Sequence, residues 1–198
     1  MMRRLDNQPK RHLDRAGMTL VEMIVALTIF AVISTVIIGF LTSSRETYNS
    51  TSDRAHYQQS LRAVFSLMTR ELRSAGCDPA QVGIAGLTIA DDTTLRCRMD
   101  LDGDGVTLGI GPDEDITYTY IAAQAELQRT TASGTQTILR EVQFLQFMYF
   151  DEAGNNLATT PLSAADRDLV RFVDIAIDGE LRDGEPVTYS TRVFVRNG

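Results

Sequence analysis

The sequence predicts an α+β fold: a long N-terminal α-helical spine packed on a mainly antiparallel β-sheet domain. Three observations carry that expectation. An apolar run of 24 residues, Met18 to Leu41, contains a single charge, Glu22. Beyond it, Tyr57, Leu61, Val64, Phe65, Met68 and Leu72 recur at three- and four-residue spacing, the mark of a helix with one apolar face. From residue 84 the period drops to two, in short runs broken by turn residues, which favours a meander of antiparallel strands.

Residues 1–17 form a basic leader, with Arg3, Arg4, Lys10, Arg11 and Arg15 against Asp6 and Asp14. The apolar run that follows, 18–41, is a transmembrane length: at about 1.5 Å per residue it gives roughly 36 Å of helix against ~30 Å of hydrocarbon. A secretory signal peptide has a shorter apolar core with its small-residue cut site behind it, whereas Gly17 stands in front. Positive charge before the run and the locally neutral Ser43 to Glu46 after it place the leader in the cytoplasm and the rest across the membrane. A carboxylate inside such a span costs about 2.5 to 3.5 kcal/mol on insertion scales. Glu22 is therefore expected to meet a cation, and the α-amino group of a second chain is a suitable one. Thr28, Ser34 and Thr35 are polar or small positions expected to face other helices rather than lipid. The alternative is a plain single-pass anchor carrying a stray Glu.

Residues 42–76 continue the spine as its amphipathic half. Ser74-Ala75-Gly76 followed by Asp78-Pro79 supplies the stop, Gly just past the end and Pro soon after. The β-rich domain covers 77–198. Its expected strands are Leu87–Ala90, Thr94–Met99, Ile116–Ile121, Glu126–Thr130, Gln136–Leu139, Val142–Phe150, Leu169–Ile177 and Val187–Val195. In the last, Val187, Tyr189, Val193 and Val195 alternate with polar residues.

The chain carries a formal charge of −7, and the exported part is more acidic still once the basic leader is set aside. Nucleic acid is not expected as a partner. Both cysteines, Cys77 and Cys97, fall in the exported part, where an oxidising compartment permits a disulfide. Closing a loop of about 20 residues would stabilise the fold by roughly 3 kcal/mol. Two separate buried thiols are the other outcome.

Asp100-Leu101-Asp102-Gly103-Asp104-Gly105 places carboxylates at alternate positions with Gly sixth, the opening of a calcium loop. The twelfth position is Gly111 rather than a bidentate Glu, so Asp113, Glu114 and Asp115 are the candidates to complete a site. The bland reading is an acidic surface turn. Calcium is the one candidate cofactor, and none is required. Catalysis has no support. His56 is the single histidine after the leader, no nucleophile is paired with it, and no Gly-rich loop connects a strand to a helix. The chain is not expected to be an enzyme.

Gly17-Met18-Thr19-Leu20-Val21-Glu22 with its apolar tail resembles the class III leader of type IV pilins and pseudopilins. The resemblance implies that a membrane prepilin peptidase cuts after Gly17 and methylates the new N-terminus at Met18, where Phe is the commoner residue. It implies that Glu22 pairs with the N-terminal amine of a neighbouring subunit. Leu72 to Gly76, Ile116-Thr117-Tyr118, Leu127-Gln128-Arg129 and Phe147 to Asp151 are similar to segments of the PilW-type minor pilins, and next to those of the J-type minor pseudopilin of type II secretion. The function implied is a minor pilin in a pilus tip or initiation complex. Its implied partners are the peptidase, the inner membrane and other pilins, the last met through the N-terminal helix. Two other functions remain open, a J-type pseudopilin and, from a different class, a membrane-anchored calcium-dependent adhesive module.

Overall fold

A computed structural model describes residues 17–108, 112–158, 160–180 and 186–196. The chain divides between Tyr48 and Asn49 into two units. Helix α1 (Leu20–Ser74) begins in the first and ends in the second.

In the first unit, Thr19 caps the helix. Its Oγ1 accepts the Glu22 N–H at 3.3 Å and its carbonyl accepts the Met23 N–H at 3.1 Å. Thr-x-x-Glu is the capping-box spacing, and it also sets an acid in the first turn, where the helix dipole favours one. Every described side chain from 17 to 48 is exposed except Ser34, which is half-buried. By length and composition this helix is apolar enough to cross a membrane, with a mean hydropathy of 2.7 over 18 residues and none of them buried. Thr28 and Thr35 donate to the carbonyls of Ile24 (2.7 Å) and Ala31 (2.9 Å). Each hydroxyl is satisfied one turn back, so neither needs an outside partner to sit in an apolar surface.

The second unit holds the remainder of α1 and eight strands. The first five, β1 (Leu87–Ala90), β2 (Thr94–Arg98), β3 (Asp115–Ile121), β4 (Glu126–Thr131) and β5 (Gly134–Arg140), form one antiparallel meander in sequence order. The last three, β6 (Val142–Phe150), β7 (Phe172–Glu180) and β8 (Pro186–Phe194), form a second antiparallel sheet. The expected single meander is thus split in two. The break falls at Glu141, the one residue between β5 and β6, whose φ of 60° lies in the left-handed region that a Glu rarely adopts. Its carbonyl accepts the Tyr57 hydroxyl at 3.3 Å, which ties the break to α1. The other departure is α2 (Ala164–Leu169), where the seventh strand was expected to start at Leu169. Ser163 caps it, accepting the Asp166 N–H and donating to Asp166 Oδ2, and the strand begins only at Phe172.

One core joins these elements. Tyr57, Leu61, Val64, Met68 and Leu72 of α1, with Ala75 just after it, are buried with Leu95, Cys97, Ile116, Tyr118 and Leu127 of the first sheet. Leu145, Phe147, Tyr149, Val173, Ile175, Ile177 and Val193 of the second complete it. Burying each large apolar side chain contributes about 1.5 to 3 kcal/mol. Gly179 is required by packing: a Cβ there would collide with the Tyr57 ring and hydroxyl. The chain leaves α1 through Gly76, at φ 79°, whose N–H donates to Arg98 O at 2.9 Å.

Cys77 and Cys97 are free thiols, so the expected bridge is not formed. Cys97 lies on the core face of β2 with no exposed surface, while Cys77 occupies the turn after α1, half-buried. Burial, with Glu71 and Asp115 nearby, pushes the Cys97 thiol well above its ordinary value, which keeps it protonated and unreactive.

Candidate functional site

Two clusters of sequence-predicted residues lie in different units. In the first, Gly17 precedes the capped helix, and a Cβ built on it would have nothing within 4 Å. Neither crowding nor a positive φ within this chain demands glycine there. Glu22 is exposed, and no described cation pairs with it. Its N–H is taken by the Thr19 cap, and its carboxylate is the one charge of the apolar stretch 18–41. Met18 stands beside Gly17, with 63% of its surface exposed.

In the second unit, the loop after β2 brings four carboxylates together. One oxygen from each of Asp100, Asp102, Asp104 and Glu114 lies within 4.8 Å of the others. The loop folds on its own amides. Asp100 Oδ1 accepts the Gly103 N–H at 2.6 Å and Oδ2 accepts the Gly105 N–H at 3.1 Å. Asp102 accepts from Asp104, and Asp104 from Val106, each two residues on. Gly103 and Gly105 have φ of 81° and 76°, and the carboxylate-to-amide turns need those left-handed positions. Asp100 is fully buried and Glu114 nearly so, with Glu114 Oε1 accepting the N–H groups of Leu101 (2.6 Å) and Asp102 (3.2 Å).

Of the three acids expected to complete this cluster, only Glu114 does. Asp113 accepts from Arg129 Nη1 at 3.1 Å. Asp115 takes both Nε and Nη2 of Arg96 at 2.6 Å and Nε of Arg98 at 3.0 Å. The physical reason is the arginines. Those of β2 and β4 are matched to the flanking carboxylates, which leaves the middle one to turn into the loop. Burial pushes the Asp115 carboxyl up, but Arg96 and Arg98 outweigh it and hold it below the usual carboxylate range. The same Arg129 pairs with Glu71 of α1 (Nη2–Oε1 2.8 Å), and the Tyr118 hydroxyl also donates to Glu71. Nothing local in the sequence announced this buried network, because its members come from α1, β3 and β4.

Asp78 braces the neighbouring turn, accepting from the amides of Val82, Gly83 and Ile84 at 2.7 to 3.2 Å. Val82 lies 3.1 Å from where a Gly105 Cβ would stand, so this turn backs the acidic loop.

Residues 13–38 match the family model of the prokaryotic N-terminal methylation motif. No curated protein matches the chain. The match includes Gly17, Met18 and Glu22, and residues 13–16 of it lie outside the described structure. The chain therefore carries a prepilin-type N-terminal methylation motif, which supports a place among the type IV pilins and pseudopilins.

Proposed function

We propose that this chain is a minor type IV pilin of the PilW type, cut after Gly17, methylated at Met18 and built into a pilus tip or initiation complex. In this reading residues 18–41 hold the precursor in the inner membrane with the leader cytoplasmic and the domain periplasmic, and the same helix later packs among other pilins. The observation that carries it is Glu22, an acid within the methylation-motif match that has no cationic partner among the described residues. In an apolar surrounding such a group needs a counter-charge, and the α-amino group created by cleavage of a neighbouring chain supplies one. Gly17 adds to this, since a glycine that its own fold does not require fits a residue needed by a peptidase. The preference for the PilW type over the J-type pseudopilin rests on Leu72 to Gly76, Leu127 to Arg129 and Phe147 to Asp151. Replacing Gly17 with Trp in the producing cell should leave an uncut precursor in the membrane and remove the chain from sheared fibres. Normal cleavage of that variant would sink the reading.

We further propose calcium as the ion held by Asp100, Asp102, Asp104 and Glu114. All four donors are hard oxygens, as calcium prefers. Two oxygens on opposite sides of a calcium ion, each at about 2.4 Å, lie about 4.8 Å apart, and the four donor oxygens all lie within 4.8 Å of one another. Calcium at about a hundred times its dissociation constant would add about 2.7 kcal/mol of stability. Millimolar calcium should therefore raise the melting temperature of the wild type and not that of Asp100→Asn. An unshifted wild type would make the loop a plain acidic turn.

A further inference from the structure

The two sheets end in four edge strands, β1 and β5 in the first and β6 and β8 in the second. An open edge is a row of unpaired N–H and C=O groups that another extended chain can join, and proteins block it with charge, proline or cover. Three of these edges carry such a device. Beside β1 lies α2, and the Ala90 carbonyl accepts the Leu162 N–H at 2.9 Å. Along β6, the Phe147 N–H donates to Asp92 O and the Tyr149 carbonyl accepts from Leu157. The Tyr120 hydroxyl donates to the β6 carbonyls of Val142 and Gln143. Strand β8 opens on Pro186, which has no N–H, and carries Arg192. Strand β5 has none of these. Residues 134–139 include neither proline nor a charged side chain, and Gly134, Thr135 and Gln136 are exposed. Among the described residues, its backbone hydrogen-bonds to β4 alone.

The end of this edge opens into a recess of about 420 Å³, with Asp53, His56, Tyr57 and Ser60 of α1 on one side and residues 137–140 on the other. Opposite Leu127 and Gln128 the pairing of β5 with β4 slips by one residue, and Ile138 is the extra one. A bulge re-aims a side chain, and the half-buried Ile138 is part of the recess lining. A second recess, of about 390 Å³, shares Arg140 and Glu141 with the first and adds Glu126 and Glu180. The linings thus hold four carboxylates, Asp53, Glu126, Glu141 and Glu180, against His56 and Arg140, and Arg140 is already 3.5 Å from Glu126.

We propose that β5 is a peptide-docking edge, and that its occupant is an extended basic segment of a different protein, added to the first sheet as a sixth strand. The open backbone row calls for an extended chain, which offers matching donors and acceptors at strand spacing. The carboxylates of the recesses call for basic side chains at alternate positions of that chain. A second copy does not supply them. After Arg15 the chain has no lysine, and its only arginines two residues apart, Arg96 and Arg98, are held by Asp115. The docking edge uses neither the stretch 20–48 nor the acidic loop, so it stands or falls apart from the readings above.

The test adds a fluorescent peptide of alternating Lys and Val, about eight residues long, to the full-length chain in nonionic maltoside micelles. Fluorescence anisotropy should report binding beyond that to empty micelles, with slower hydrogen exchange in residues 134–138. The same peptide with Glu in place of Lys should bind at least about tenfold more weakly, and so should a Lys-Val peptide with N-methylated backbone amides. Glu141→Gln combined with Glu180→Gln should weaken the Lys-Val peptide about fivefold or more at an unchanged melting temperature, since both side chains are exposed. No binding at millimolar peptide would overturn the proposal. So would equal binding of the acidic or the N-methylated peptide, or protection confined to residues outside β5.

Discussion

Two stretches of one helix, residues 20–48 and 49–74, are built on opposite principles. The first exposes nearly every side chain, Phe30 at 68% and Val36 at 67%, and satisfies its threonine hydroxyls within its own turns. The second commits one face to a core shared with two sheets, where Leu61, Met68 and Leu72 have no exposed surface. Apolar side chains without an intramolecular partner need another apolar surface to cover them. The first stretch is therefore made for lipid or for other chains, and the second for its own domain. Two of their acids repeat the contrast. Glu71 is buried against Arg129 and Tyr118, whereas Glu22 has no described cation.

If that division is right, mutations on the two sides separate assembly from stability. On assembly the largest effect belongs to Glu22→Ala, which should reduce incorporation into sheared fibres by well over about tenfold. The melting temperature of the domain should stay unchanged. A variant that assembled normally would break the comparison. Leu72→Ala should act in reverse, destabilising the domain by about 3 to 4 kcal/mol through a buried cavity. Denaturant melts read that loss, and membrane insertion should be unaffected. Glu71→Gln keeps the shape and removes the charge facing Arg129, and should cost about 2 kcal/mol in the same melts.

The smallest of these effects is pH-dependent. The Asp115 carboxyl is held below its ordinary value in the folded domain, so its stabilising contribution is complete above the unfolded value of about 3.9. It is lost as pH falls below that, through the lowered folded value. Asp115→Asn should therefore flatten the acid limb of the stability profile while lowering stability at neutral pH. An unchanged acid limb would mean that Arg96 and Arg98 act without coupling to that proton.

The sequence made much of this legible, because period and punctuation are local. The bounds of β1 and β6 coincide with the apolar runs that predicted them, and α1 ends where Gly76 and Pro79 stop it. What escaped was of two kinds. Signals were present for the Thr19 cap and for α2, in Thr-x-x-Glu and Ser163-x-x-Asp166, but the apolar run and the strand period around them were stronger. The division into two sheets had no such signal, since a Glu at φ 60° looks like any other Glu in a sequence. The fates of Asp113, Glu114 and Asp115 were likewise closed to a linear reading. Arginines on β2 and β4 decide which carboxylate turns inward. The free thiols of Cys77 and Cys97 correct an expectation drawn from the compartment alone.

The account depends most on the first stretch being a processed assembly helix, and the N-terminus of the chain recovered from membranes reports on that directly. Mass spectrometry of its N-terminal peptide should show Met18 as the first residue, carrying one methyl group. A first residue upstream of Met18, or cleavage beyond Leu41, would contradict it.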